Sequence, residues 1–199
     1  MLPVLVVIVV GVAAVSVRWF GRVDGRWGLA AVLLVVAVAL LGHAGWWWLE
    51  SVSWDSDYQG TPDRYREDLT DPHLWVGEAV VAGAVVVVLV VALVRLGHRR
   101  DLFSAVGVAV CLMALGQMAS PRLLLPAPED AGFQVFSDGE LFGSPTRAIE
   151  VSAATGWRSL GLALVCGCAC VAVAAMARWR RPMRAEDRGG GDLTGGARR

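Results

Sequence analysis

The cysteines of this sequence are side chains that could bind a metal. Cys166, Cys168 and Cys170 alternate along one apolar segment, and Cys111 lies in another. Thiolates are ligands for Cu(I) and zinc, so Cys111, Cys166 and Cys170 are candidates for a soft-metal site. On a helix, positions 166 and 170 share a face and 168 points elsewhere, which prevents the three from converging. We expect these cysteines to serve as small apolar residues, with no metal and no cofactor.

Three polar side chains lie within apolar segments and could move a proton or line a path. His43 and Glu78 lie near the acidic ends of two segments, and Gln117 lies in a third. Ionisable groups at membrane depth are candidates for function. His43, Glu78 and Gln117 are therefore the candidates for a polar functional cluster. The alternatives are a hydrogen-bonded structural histidine and a glutamate solvated at the membrane surface.

An acidic segment between two apolar runs could bind calcium or act on a substrate. The sequence DSDYQG, which begins at Asp55, resembles the opening of a calcium loop. The third ligand position is a glutamine, and Arg66 stands where a bidentate glutamate is required. We expect a solvated acidic loop. An enzyme acting at this face would use Asp55, Asp57 or His73, although their spacing matches no catalytic motif.

Five long apolar runs must position these residues. The hydrophobic fraction of 56% is concentrated in them, and about 20 apolar residues cross the roughly 30 Å hydrocarbon layer as a helix. Many runs are rich in valine, but backbone groups in lipid must bond within their own segment, which favours helices. We predict an all-α bundle of five transmembrane helices. They cover about residues 1–17, 28–49, 74–94, 102–120 and 159–177.

Arginine and acid alternate between the ends of these runs, although the formal net charge is zero. The segments at one end, Glu78 included, hold five Arg and thirteen Asp/Glu, a net charge of −8. Those at the other end, with the C-terminal tail, hold thirteen Arg and five Asp/Glu, a net charge of +8. Basic loops stay in the cytoplasm. We therefore predict a multi-pass plasma-membrane protein with its N-terminus outside and its C-terminus inside.

Boundary residues agree with these spans. The nine tryptophans all lie at or beyond run ends, where indole prefers the headgroup layer. Asp71-Pro72 and Asp101 are expected to start the third and fourth helices, and Ser120-Pro121 is expected to stop the fourth. A cleaved signal peptide is the alternative for the first run, but a basic n-region is missing.

The two outer loops, 50–73 and 121–158, are acidic and aromatic. A short helix is expected between Thr61-Pro62 and Asp71, and a short β-hairpin is expected where Ser137-Asp138-Gly139 separates two phenylalanine-containing segments. Aromatic residues in or beside these loops are the candidates for facing a partner protein. They are Trp46, Trp47, Trp48, Phe133 and Phe136.

The tail, 178–199, begins basic and becomes rich in glycine. Its first part should lie against anionic lipid, and the rest is expected to be disordered. Nucleic-acid binding is not expected, because the arginines adjoin a span and are diluted by glycine and acids. All basic residues are Arg, and with abundant Ala, Val and Gly this is typical of a high-GC, actinobacterium-like genome.

Transporters place polar groups and broken helices at the middle of the bilayer, and the middle of each run shows neither. We therefore expect a non-catalytic structural or accessory membrane component, whose partners are the bilayer and another membrane or extracytoplasmic protein. The first alternative is an oligomeric transporter or channel for ions or small solutes. The second is a membrane enzyme acting at the outer face.

Overall fold

The computed structural model describes residues 23–57, 62–127, 130–135, 141–142 and 145–189. Within these ranges the chain is almost wholly helical, as predicted. In chain order the elements are α1 (Gly25–Asp57), α2 (Pro62–Thr70), α3 (Pro72–Arg99), α4 (Leu102–Leu124), β1 (Gln134–Val135), β2 (Leu141–Phe142) and α5 (Thr146–Gly189).

Helices α1, α3, α4 and α5 are long and apolar enough to cross a membrane, with mean hydropathies of 2.2, 2.9, 2.0 and 2.4 over their most apolar stretches. This is consistent with a multi-pass membrane protein, and it matches four of the five expected runs. The first expected run, residues 1–17, lies outside the described residues.

Helix α1 is the centre of the bundle. In its most apolar stretch 56% of the residues are buried, against 17–28% in α3, α4 and α5. Helix α1 packs against all three of these helices. The side chains that fill the core are small or branched and apolar, and they include Leu33, Val36, Leu40, Val85, Cys111, Ala114 and Met118.

Helix α4 begins as predicted and ends later than predicted. The carboxylate of Asp101 accepts a hydrogen bond from the Ser104 backbone N–H at 2.8 Å, so Asp101 is the N-cap. The predicted stop at Ser120-Pro121 is wrong, because the helix continues to Leu124 with Pro121 inside it. A proline cannot donate to the carbonyl four residues earlier. The Ser120 hydroxyl donates to that carbonyl, on Gln117, at 2.8 Å.

Above one end of the bundle, α2 and the segment before α5 form an aromatic cap. Helix α2 occupies the expected position between Pro62 and Thr70. Strands β1 and β2 pair antiparallel, with Gln134 opposite Phe142; the connection 136–140 lies outside the described residues, so the hairpin turn stays a prediction. The buried core of the cap is Trp47, Trp54, Tyr65, Ala131 and Ala148.

The opposite end of the bundle carries most of the arginines. Arg95 donates through Nη2 to the Val23 carbonyl at 2.8 Å and lies 3.9 Å from the Asp101 carboxylate. Helix α5 extends past Arg178 to Gly189, so the basic first part of the tail is helical. The disorder expected for the Gly-rich remainder stays a prediction. Arg, Met, Ala and Glu in this stretch are good helix formers. Residues 190–199 lie outside the described part.

Candidate functional site

Three polar side chains from three helices form a chain of hydrogen bonds in the bundle. The Nδ1 atom of His43 (α1) lies 2.8 Å from the Ser159 hydroxyl oxygen (α5), and Nε2 lies 2.9 Å from Oε1 of Glu78 (α3). The three residues are 1%, 0% and 4% exposed, respectively. A serine, an imidazole and a carboxylate in this order can act as a nucleophile, as its general base and as the group that orients the base.

The contacts of the imidazole favour one placement of its proton. With the proton on Nε2, His43 donates to the Glu78 carboxylate, and Nδ1 accepts from the Ser159 hydroxyl. This assignment leaves each of these polar atoms with a complementary partner, as buried polar groups require. It also leaves a basic lone pair on Nδ1 facing the serine hydroxyl.

Trp47 contacts both His43 and Glu78 through its indole N–H. Its indole Nε1–H lies 3.0 Å from Oε1 of Glu78 and 3.1 Å from Nε2 of His43. With the imidazole proton on Nε2, both N–H groups donate to the same carboxylate oxygen. Because His43 and Trp47 are four residues apart on α1, they lie on the same helix face. The indole therefore helps to keep the carboxylate in place.

Arg122 supplies the positive charge beside Glu78. Its Nε atom lies 3.7 Å from Oε2 of Glu78, and its guanidinium carbon lies 4.6 Å above the ring centre of Trp75. The arginine side chain is 52% exposed, whereas the carboxylate is buried. Arg122 belongs to the last turn of α4. This contact therefore depends on the continuation of the helix through Pro121.

Gln117 is a further polar side chain that reaches this network. Its amide Nε2 donates to the Ser159 hydroxyl oxygen at 3.4 Å, across the contact between α4 and α5. Gln117 is partly exposed, so the serine is buried behind a residue that itself reaches the surface of the bundle. A donor at this position is suited to stabilise negative charge that develops near the serine oxygen.

The network lies towards the acidic end of the bundle. His43 is about 27 Å along α1 from Gly25, at roughly 1.5 Å per residue, and the hydrocarbon layer is about 30 Å thick. The core between the network and the arginine end is apolar. In the described bundle this polar site therefore lies near one boundary of the layer, with an apolar core behind it.

An aromatic chain covers the network. The ring of Trp47 contacts that of Trp54 at 6.3 Å, Trp54 contacts Tyr65 at 5.9 Å, and Tyr65 contacts Phe133 at 5.8 Å, all between centroids. The Tyr65 hydroxyl donates to the Pro126 carbonyl at 3.2 Å. Edge-to-face contacts of this kind stabilise a cluster beyond its area burial. The cap is therefore a packed unit that excludes water from the polar site.

The structure brings His43, Glu78 and Gln117 together, with Ser159 at the centre. Both Gln117 and His43 bond Ser159, and Glu78 bonds His43. The structure does not describe the side chains of Asp55, Asp57 and His73. Ser159 and Arg122 were not among the predicted site residues, because a serine at the start of a span and an arginine after a proline both resemble ordinary boundary residues.

The aromatic residues expected to face a partner pack mostly inward. Trp47 is fully buried, which corrects its expected role as a surface residue. Trp46 and Phe133 are partly buried against the cap core. Trp48 packs edge-on against Trp157, with centroids 5.2 Å apart. Phe136 lies outside the described residues.

The cysteines do not assemble a metal site in the described part of the chain. Cys111 and Cys166 are buried in the apolar core, and Cys170 donates its thiol to the Ala30 carbonyl at 3.2 Å. No group of three His, Cys, Asp or Glu side chains among the described residues could hold a metal ion.

Comparisons with known proteins found no relative of this chain. No protein-family model, no curated protein and no solved structure matches the chain.

Proposed function

We propose that this chain is an enzyme of the plasma membrane that transfers or hydrolyses acyl groups at the outer face, with Ser159 as its nucleophile. The observation that carries the proposal is the chain of contacts Ser159–His43–Glu78, at 2.8 and 2.9 Å, drawn from three helices. Nucleophile, base and orienting carboxylate recur in this order on unrelated folds and are recognised by geometry.

In the proposed reaction the Ser159 oxygen attacks the carbonyl carbon of an ester, and its proton passes to Nδ1 of His43. The carbon–oxygen bond to the alcohol breaks, and the departing oxygen takes that proton from His43. Water then attacks the acylated serine with His43 again accepting the proton. The carboxylic acid leaves, and the serine hydroxyl is restored. Transfer to another alcohol replaces water in the second half.

Glu78 and Gln117 have separate roles in this scheme. The Glu78 carboxylate accepts from Nε2, which holds the imidazole proton away from the serine and stabilises the imidazolium that forms. The Gln117 amide, 3.4 Å from the serine oxygen, stabilises the negative charge of the tetrahedral intermediate. Because Ser159 is fully buried, a substrate gains access by local separation of α4 from α5 beside Gln117.

The proposed membrane arrangement has five spans, with the N-terminus outside and the C-terminus inside. The separation of charge supports it: Arg95 and Asp101 lie at the arginine-rich end, and the polar network and cap lie at the acidic end. Retention of arginine in the cytoplasm puts the cap outside. Ser159 is about 30 Å along α5 from Trp179, at roughly 1.5 Å per residue, which supports a nucleophile near the outer boundary of the hydrocarbon layer.

A fluorophosphonate probe tests the proposal, because it reacts covalently with an activated serine. We expect labelling of the detergent-solubilised full chain, loss of labelling in Ser159→Ala, and retention in Ser152→Ala. Ser152 is the matched control, since it is equally buried on the same helix and its hydroxyl has no hydrogen-bond partner in the described structure. Equal labelling of the two variants, or none in the wild type, would contradict the proposal.

Transport by an oligomer is the second candidate function. The convergence of His43, Glu78 and Gln117 favours it, and the apolar core behind the network opposes a path through one chain. Flux into liposomes that is lost in Glu78→Gln but retained in Ser159→Ala would support transport over acyl transfer. The accessory role expected from the aromatic loops is weakened, since Trp47 is buried.

A further inference from the structure

We infer that the substrate is a phosphate-bearing lipid ester of the outer leaflet, and that Arg122 binds its phosphate. This inference rests on the proposed function, because it names the substrate class of the same site. Its basis is the surface next to the network, where a half-exposed guanidinium lies beside exposed apolar side chains.

Arg122 has the position and the charge for a headgroup contact. Glu78 lies on one side of its guanidinium, and the Trp75 ring lies beneath it. These two contacts hold the planar group in one orientation while 52% of the side chain remains exposed. An arginine presents a fork of N–H donors that matches the oxygens of a phosphate. The guanidinium therefore offers an oriented anion-binding face at the membrane boundary.

The side chains around Arg122 match the rest of a lipid. Leu123 is 84% exposed and Leu124 is 49% exposed on the same turn. On α5, two residues before Ser159, Trp157 is 65% exposed and packs against Trp48. Below this level the outward residues of α4 and α5 are apolar, Leu112 and Leu164 among them. A lipid with an anionic headgroup and acyl chains would match this surface. Its headgroup would meet Arg122, and its acyl chains would lie along the apolar residues below.

The depth of the nucleophile fits the ester bonds of such a lipid. Ester groups lie just beneath the phosphates, and the proposed level of Ser159 is the outer edge of the hydrocarbon layer. Gln117 is partly exposed between Arg122 and the core, so it marks the side from which an ester approaches. Arg158, which precedes Ser159, is also exposed and adds positive charge at the same level.

The experiment compares two esters that differ in the phosphate. The purified full chain in nanodiscs is given phosphatidylglycerol or diacylglycerol, and fatty-acid release gives kcat/KM for each. The wild type should prefer phosphatidylglycerol. Arg122→Gln should lower that preference about tenfold or more, as expected when a charged hydrogen bond is lost, and Arg122→Lys should lower it less. Arg147→Gln is the control, since this outer arginine is exposed and lies in the first turn of α5, twelve residues before Ser159.

The outcomes separate the inference from the proposed function. If Ser159 reacts with the fluorophosphonate and the preference for phosphatidylglycerol is unchanged in Arg122→Gln, the inference is wrong and the nucleophile stands. The same holds if neither lipid is cleaved but a soluble ester is. If Ser159 does not react with the fluorophosphonate, the proposed function itself fails.

Discussion

The Nδ1 atom of His43 and the hydroxyl oxygen of Ser159 lie 2.8 Å apart, although 116 positions separate the two residues in the chain. Helices α1 and α5, which carry them, also pack against each other along the bundle. A fold that only needed to bury these positions could fill them with apolar side chains, because a buried polar pair contributes little net stability. The contact is therefore better explained by chemistry than by packing.

Replacement of His43 tests its role as the base. In His43→Gln the residue at this position can still hydrogen-bond but cannot accept the serine proton at neutral pH. We expect the rate constant for fluorophosphonate labelling to fall about 100-fold or more, the usual contribution of a general base. Gel filtration and circular dichroism check that the variant is folded. An unchanged labelling rate in the folded variant would remove His43 from the mechanism.

Replacement of Trp47 tests the hydrogen bond that closes the network. Trp47→Phe keeps an aromatic ring in the cap but removes the N–H that donates to Glu78 at 3.0 Å. Hydrogen bonds to charged groups contribute about 1.5–3 kcal/mol, so the free energy of unfolding in detergent should fall by about this amount. Trp157→Phe, at a position 65% exposed, is the control and should change little. Equal effects of the two substitutions would count against the network.

Ser120 and Pro121 should be energetically coupled. The Ser120 hydroxyl bonds the Gln117 carbonyl that Pro121 leaves without a backbone donor. Ser120→Ala should therefore lower the free energy of unfolding by about 1 kcal/mol in the wild type. In the Pro121→Ala background it should change almost nothing, because alanine restores the backbone N–H at position 121. A double-mutant cycle of unfolding free energies measures this coupling. The same cost in both backgrounds would show that the hydroxyl does not replace the missing donor.

Asp101 should make the stability of α4 dependent on pH. Burial alone would raise its pKa, but the hydrogen bond from the Ser104 backbone N–H and the charges of Arg95 and Arg99 lower the pKa below the usual value. A lowered folded-state pKa means that the stabilisation is complete above the unfolded pKa, about 3.9, and is lost as the pH falls through the folded value.

Two variants separate the cap from the charge at this position. Asp101→Ala should lower the free energy of unfolding by about 1 kcal/mol at neutral pH, the usual value of an N-cap. Asp101→Asn keeps a capping side chain and should lose less. Its difference from the wild type should shrink as the pH falls below about 4, as measured by thermal unfolding in detergent. A difference independent of pH would contradict the assigned pKa shift.

Thiol labelling tests the proposed orientation. In a background with the native cysteines replaced, single cysteines at Asp57, His98 and Asp138 are exposed to a membrane-impermeant maleimide on intact cells. Positions 57 and 138 should react, since they belong to the outer side of the proposed arrangement, and position 98 should not. Reaction at position 98 alone would invert the topology.

The sequence predicted the helices because membrane helices are defined by local composition. Run lengths placed α1, α3, α4 and α5, and Asp101 was recognised as a cap from its position alone. The facing of each helix was harder to predict, since residues such as Leu33 and Leu41 are both apolar although only the first is buried. Hydrophobic periodicity identifies a buried face in water, and it disappears when lipid covers the other face.

The site was predicted only in part for the same reason. His43 and Glu78 were identifiable as ionisable groups in apolar surroundings. Ser159 was not, because serine is common at helix ends and carries no charge. Its place in the network depends on which face of α5 packs against α1. The apolar pattern of either helix does not reveal that face. Trp47 was expected on the protein surface because tryptophans favour interfaces, but its indole N–H donates to the buried carboxylate of Glu78.

Capture of the acylated serine tests the central claim most directly. The full chain is mixed with excess p-nitrophenyl butyrate, quenched in acid within the first turnover, digested and analysed by tandem mass spectrometry. Covalent catalysis predicts a butyryl group on Ser159 in the wild type and in Ser152→Ala, and none in Ser159→Ala. A chain with no butyryl group on Ser159, or with equal acylation in Ser159→Ala, would contradict the account.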